Sequence, residues 1–270
     1  MRSGRRRPGR LIALAVSGAA VLVPLTVFVL HAFSKRWFYP QVLPHEWTTA
    51  TFLREMTDPQ TIRALLASLL IAAAVSVLSL LVSWPAARVL GMRNLPGKRL
   101  ILLLVFLPTV VPPVAEGMGL SILLLRVGLA GTYLGVILVH LIPTLPYVVF
   151  SLTAFFSRYD PGYEQQATML GAGRARVLLQ VALPLARPGL VVAGLFGFLI
   201  SWSQYLLTLL TGSGRVFTLP MLLFSSASGG DQTVIAALSL LFIAPPILLI
   251  VVAARYLGIG GGTAEPQIRL

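Results

Sequence analysis

The chain has no cysteine among its 270 residues. That excludes disulfides, thiolate nucleophiles, thiolate-ligated zinc and iron–sulfur clusters together. Histidine occurs three times, at His31, His45 and His140, never as a close pair, so no metal-ligand spacing is present. Acidic residues number eight and all charged residues make up only 11% of the sequence. Catalysis requires a nucleophile with a base, paired acids or a metal. Ser201 and Ser203 have no base close in sequence, and a membrane enzyme is therefore disfavoured. No G-x-x-x-x-G-K-[ST] phosphate loop occurs, so the chain has no ATP site of that kind. No internal repeat is visible, which speaks against an inverted-repeat secondary transporter. Such a carrier, or a channel, would also hold several intramembrane ionisable groups, and here the candidates are Glu116 and His140.

What is present is hydrocarbon: 57% of the residues are hydrophobic and the mean hydropathy is +0.88. This is the composition of a polytopic membrane protein. The formal net charge of +13 could suggest nucleic acid. Lys and Arg that flank membrane segments and set their orientation account for it better, and no nucleic-acid partner is expected.

A helix needs about 20 apolar residues to cross the hydrocarbon core. Six segments qualify, at 11–33, 62–87, 100–125, 133–156, 189–211 and 234–257, which predicts an all-α protein with six transmembrane helices. The first follows the basic stretch "MRSGRRRPGR" and is too long for a signal-peptide core, so it reads as an uncleaved anchor. The second follows "TDPQT", where Asp58 can cap the free amides and Pro59 suits the first turn. The third contains Pro108, Pro112 and Pro113 and the fourth Pro143 and Pro146, breaks that membrane helices tolerate when neighbours re-satisfy the backbone. With the N-terminus inside, 15 of the 21 Lys and Arg fall on the inner side, which predicts cytoplasmic N- and C-termini. The layout is then a basic cytoplasmic segment at 1–10, a membrane domain at 11–257 with its largest cytoplasmic loop at 157–188, and a loose Gly-rich tail at 258–270.

The loop reads as a helical hairpin. Tyr163–Leu170 can form two turns, glycines at 171 and 173 can end them, and Arg174–Leu183 reads as a second short helix with Val177, Leu178, Val181 and Ala182 on one side. Pro184 and Pro188 are expected to break the pattern before the fifth span. Such a hairpin can lie on the headgroups or dock on a cytoplasmic partner.

The stretch "EQQATMLGAGRARVLLQVALPLARPG" resembles the signature loop of binding-protein-dependent ABC importer permeases. The family pattern is Glu-Ala-Ala, three residues, Gly, then Leu-Pro with the proline thirteen residues beyond that glycine. Gly171, Leu183 and Pro184 match it, and Ala167 matches the second alanine. Gln165 stands at the family glutamate, Gln166 at the first alanine, and Glu164 lies one residue early. "SWPAARVL" and "ISWSQYLLTLLTGSGRVFTLPMLLF" are similar to other parts of the same family.

The resemblance implies a type I importer permease of methionine-importer-like fold in the bacterial inner (plasma) membrane. It is nearest to the second permease of pairs that import polyamines, thiamine or ferric iron, with sugar importers sharing much of the pattern. It implies that Glu164, Gln165, Ala167, Gly171, Leu183 and Pro184 form a coupling loop for a cytoplasmic ATPase dimer. That dimer would bind ATP and Mg, leaving no cofactor in this chain. The other implied partners are a second, different permease chain and an extracytoplasmic solute-binding protein. For the solute path or its gate the candidates are Glu116, His140, and Ser201, Gln204, Tyr205 and Thr208. The last four are spaced i, i+3, i+4 and i+7, one face of a continuous helix. Glu116, on the outer half of the third span, is the most costly to insert, at about 2.5–3.5 kcal/mol for an ionised carboxylate, a cost that water, a partner such as an Arg or His140, or a cationic solute would offset.

Overall fold

The computed structural model describes residues 8–35, 37, 40, 41 and 43–258. The expected features at 1–7 and 259–270, which include most of the basic segment and nearly all of the Gly-rich tail, lie outside the described residues. Among the described residues there is no strand, only one isolated antiparallel bridge between Ser34 and Trp47. The helices run in order α1 (Pro8–Ala32), α2 (Ala50–Thr57), α3 (Pro59–Met92), α4 (Lys98–Phe106), α5 (Pro113–Arg126), α6 (Tyr133–Phe156), α7 (Gly162–Met169), α8 (Arg174–Val177), α9 (Leu183–Trp202), α10 (Leu206–Thr211), α11 (Leu219–Gly229) and α12 (Gln232–Tyr256).

Among the described residues, four helical stretches are long and apolar enough to cross a membrane: α3, α6, Arg174–Trp202 and α12. A bent pair, Lys98–Val110 with Pro113–Arg126, makes a fifth if it counts as one span. The first predicted span falls in α1, which runs for 25 residues from Pro8 to Ala32.

Helix α3 starts as its sequence dictates. The Asp58 carboxylate accepts from the amides of Gln60 (3.0 Å) and Thr61 (2.8 Å), satisfying two of the four amides a helix start leaves free. Pro59 lacks an amide and sits where none is needed.

The structure departs from the sequence reading at two of the predicted spans. The run at 100–125 is not one continuous helix, because α4 ends in a 3-10 turn at Leu107–Val110 and α5 leaves at 90°. Pro108, Pro112 and Pro113 together remove too many amide donors for the ladder to continue. The fifth predicted span, at 189–211, is also redrawn. Helix continues from Arg174 through Pro184 and Pro188 to Trp202, 29 residues in all, then breaks at Ser203–Tyr205 before α10. Pro184 does not stop it because Leu178–Ala182 form a π turn, in which the Leu183 amide bonds the Leu178 carbonyl five residues back. Widening the turn just before a proline relieves the clash of its ring with the preceding turn.

The chain divides into two units. The first holds the described residues up to Ile62 together with Leu222–Pro245. Within it, the rings of His31 and Trp37 lie 4.3 Å apart, those of Phe33 and Phe52 5.3 Å apart, and Lys35 pairs with Glu46 at the surface. The second holds Arg63–Met221 and the described residues from Pro246. Its main core is built by α3, α6 and α9, where Ala87, Val148, Leu152, Phe156, Ala186 and Ala193 are buried together. Small residues let the helices approach closely, as lipid-embedded bundles require. Trp84 then packs edge-on against Phe156 at 5.0 Å. The Ser76 hydroxyl ties α3 to α9 by donating to the Gly194 carbonyl at 2.8 Å.

Asp58→Ala should lower the stability of the purified chain by about 1 kcal/mol, and Asp58→Ser should recover most of it, in thermal melts in detergent.

Candidate functional site

Two groups of predicted residues come together, in different parts of the second unit. The first is the hairpin. Helix α7 ends in a paired hydrogen-bond motif: the Gly171 amide donates to the Thr168 carbonyl (3.0 Å) and the Ala172 amide to the Ala167 carbonyl (3.0 Å). This is the Schellman closure, and it needs a left-handed residue after the helix end. Gly171 supplies it, with φ of +86°. No neighbouring atom would meet a Cβ there, so the backbone angle alone demands glycine.

The turn holds Met169 and Leu170 outward at 84% and 89% exposure. Two large apolar side chains at a helix end, both almost fully open, make an apolar knob on a short polar helix. Gln165 and Gln166 are exposed on that helix and Ala167 is half-buried. Leu183 and Pro184 are half-buried at the start of α9, directly after the π turn.

Glu164 points the other way. Its carboxylate pairs with the Arg88 guanidinium near the end of α3 and accepts from the Tyr159 hydroxyl (2.8 Å), just after α6. The hairpin is thus tied to two of the three core helices by one acid. Burial, then the hydrogen bond to Glu164, raises the Tyr159 pKa, so the phenol stays a donor at any physiological pH. Arg88 and Tyr159 were missed in the sequence. A signal existed: Glu164 and Asp160 are the only acids in the 157–188 loop, and Arg88 is a cation near a helix end predicted on the same side. A cavity of about 680 Å³ lies between hairpin and core, lined by Arg88, Glu164, Thr168, Met169, Arg174 and Leu178.

The second group surrounds the break after α9. The expected single face of Ser201, Gln204, Tyr205 and Thr208 does not exist, because Ser203–Tyr205 are not helical. Ser201 and Thr208 nevertheless meet through a third residue. His140 of α6 bonds the Ser201 hydroxyl through Nδ1 and the Thr208 hydroxyl through Nε2, both at 2.9 Å. All three are buried. Gln204 and Tyr205 are half-buried at the break itself.

Helix α10 in turn packs on α5. A Cβ at Gly117 would lie 2.5 Å from Leu210 Cδ1, so any larger residue there would have to push the leucine side chains of α10 aside. Leu124, Val139 and Leu207 form a buried cluster beside it. One residue before Gly117, Glu116 stands in the first turn of α5 with Oε1 buried and without a hydrogen-bond partner. It borders a cavity of about 440 Å³ lined also by Leu104, Leu107, Pro108, Val111 and Ile142. No hydrogen bond or ion pair joins Glu116 to His140. Among the described residues no cluster of His, Asp and Glu could hold a metal.

Comparison with known proteins agrees with the sequence resemblance. The family described as "Binding-protein-dependent transport system inner membrane component" matches residues 83–259, which include the hairpin, the helix break and Glu116. The chain is 30% identical over 190 residues, 69% of its length, to a diacetylchitobiose uptake system permease protein of Streptomyces coelicolor. It is 32% identical over 159 residues, 58% of its length, to a trehalose transport system permease protein of Mycobacterium tuberculosis. It is 34% identical over 172 residues, 59% of its length, to a molybdenum transport system permease protein of the same species. The matches span 63%, 58% and 65% of those relatives. A chain from a bacterial ABC transporter involved in the import of the acidic polysaccharide alginate has the same fold, with a TM-score of 0.73, 18% identity, and coverage of 95% of this chain and 98% of that one. With its apolar helices and a family match across two thirds of its sequence, this chain is a multi-pass member of the binding-protein-dependent transport system inner membrane component family.

Proposed function

We propose that the protein is the permease subunit of an ATP-binding-cassette importer, forming half of a solute path and taking its drive from a separate ATPase. The observation that carries this reading is the apolar knob of Met169 and Leu170, held outward by Gly171 and anchored through Glu164 to Arg88 and Tyr159. An apolar helix end on a rigid mount is suited to a groove on a partner. The chain has no phosphate loop, so ATP and Mg belong to that partner. The bias of Lys and Arg supports six spans, with α1 as the first and both termini in the cytoplasm, which puts the hairpin on the ATPase side. A second permease chain would complete the path, and an outer solute-binding protein would load it. A solved alginate importer was crystallised with its periplasmic protein, and one of its chains shares this fold with a TM-score of 0.61.

For the solute, the relatives favour the sugar alternative over polyamine or thiamine. Molybdate permeases among them raise an oxyanion as a second reading. Glu116 argues against it. A carboxylate about 6 Å from a dianion, at an effective dielectric constant near 20, costs on the order of 5 kcal/mol. Nothing on this chain bonds its buried Oε1 to offset that. A sugar hydroxyl would instead donate to it.

Three outcomes follow. Gly171→Val strains the turn by about 1 kcal/mol or more and should release the ATPase from the purified complex while the membrane fold survives. Co-purification and transport at the normal level would refute the docking role. Glu164→Gln should loosen the hairpin and lower transport, and exchanging the charges as Arg88→Glu with Glu164→Arg should restore part of it. Failure of the exchange to exceed either single variant would mean that the ion pair is not what anchors the loop. Glu116→Gln should slow sugar uptake about tenfold, the worth of one charge-assisted hydrogen bond. Unchanged rate and apparent affinity in proteoliposomes would remove Glu116 from the route.

A further inference from the structure

The His140 cluster has a direction. The Thr208 hydroxyl donates to the Gln204 carbonyl at 3.1 Å. With its one hydrogen in that bond, the hydroxyl accepts from His140, an arrangement in which Nε2 carries the proton. Nδ1 is left as the acceptor and takes the Ser201 hydroxyl hydrogen. The result is one chain of bonds: Ser201 to His140, His140 to Thr208, Thr208 to Gln204. It begins in the last turn of α9, passes through α6, and ends on a carbonyl inside the break.

Each end belongs to a different body. Below the break, Arg174–Trp202 is a continuous rod that starts at the hairpin turn and is about 43 Å long at 1.5 Å per residue. Above it, α10 is clamped to α5 at Gly117 and to the α5–α6 connection, where the Gly131 amide donates to the Thr211 carbonyl at 3.0 Å. Because α5 carries Glu116, a movement of the rod reaches Glu116 through the break. The helical ladder is interrupted at Ser203–Tyr205, so the backbone there does not carry it as a rigid rod would.

We propose that His140 is the joint between these bodies: a positioning residue that makes α10 and α5 follow the rod when the hairpin moves. This rests on the permease reading above. It assigns His140, Ser201 and Thr208 to the transmission of motion and not to contact with solute.

The absence of native cysteine allows a direct test. Spin labels on the assembled complex with its ATPase would report two distances, before and after addition of ATP and vanadate. One pair, Tyr163→Cys with Leu81→Cys, follows the hairpin against α3 and leaves the Met169–Leu170 knob intact. The other, Met118→Cys with Leu66→Cys, follows α5 against α3. All four side chains are exposed. With Thr208 intact, both pairs should shift. With Thr208→Val, which keeps the shape but removes the hydroxyl, the hairpin pair should shift as before and the α5 pair by less than half. Thr208→Ser, which keeps the hydroxyl, should restore the α5 shift. A full α5 shift in Thr208→Val overturns the joint while leaving the permease reading intact. If neither pair moves with Thr208 present, the coupling reading and the joint fail together.

Discussion

Inside hydrocarbon every backbone amide and carbonyl needs a partner from the protein, because water is not there to supply one. Proline removes an amide, so each proline in an apolar run sets a local problem, and the way each is solved shapes this molecule. In α6, Pro143 and Pro146 leave the helix unbroken, and the Thr144 hydroxyl adds a bond to the His140 carbonyl at 2.6 Å. At Pro184 the answer is a π turn that lets the helix pass. At Pro108, Pro112 and Pro113 no local repair is enough, and the chain turns through 90°. That turn is what puts Glu116 in the first turn of a new helix instead of in mid-span.

The same constraint explains why charge is spent so sparingly and so specifically. The ion pair of Arg88 with Glu164 is mostly shielded, and a third group, Tyr159, shares the carboxylate. A shielded pair contributes little net stability, since desolvating both charges offsets their attraction. What it does provide is register. Removing one partner leaves the other unpaired, so the hairpin cannot slide along the ends of α3 and α6 without a large cost. An apolar contact alone would tolerate such a slide, because hydrophobic attraction has no direction.

Those features explain which parts were legible in the sequence. The limits of α6 and α12 agree within two residues with hydropathy alone, since long apolar runs bounded by polar ones leave few choices. The Asp58 cap and the Gly171 turn were readable because each depends on a neighbour no more than a few residues away. Illegible were the passage of helix through Pro184 and the break at Ser203–Tyr205. The first rests on a π turn that hydropathy does not report, and the second is bridged by a residue of another helix. Three of the residues expected along the path, His140, Ser201 and Thr208, do converge, but through an imidazole 61 residues from Ser201 in the chain, not through a shared helix face. Periodicity within one segment carries no information about such a partner.

The choice of an imidazole at that point has a physical logic. An ion pair across the break would be strong and directional, but each charge would resist separation in low dielectric, and motion would be expensive. Apolar packing would move freely but would transmit rotation poorly. A neutral ring between two hydroxyls lies between these limits. Each bond is worth roughly 1 kcal/mol net while both partners stay paired, and hydroxyl rotors can turn to keep their bond as the helices tilt. Losing a bond altogether would strand a buried polar atom at about 1–3 kcal/mol. The cluster is therefore compliant to small rotations and stiff against separation. Those are the properties required where a rod of 29 residues meets a short helix of six across an interrupted ladder.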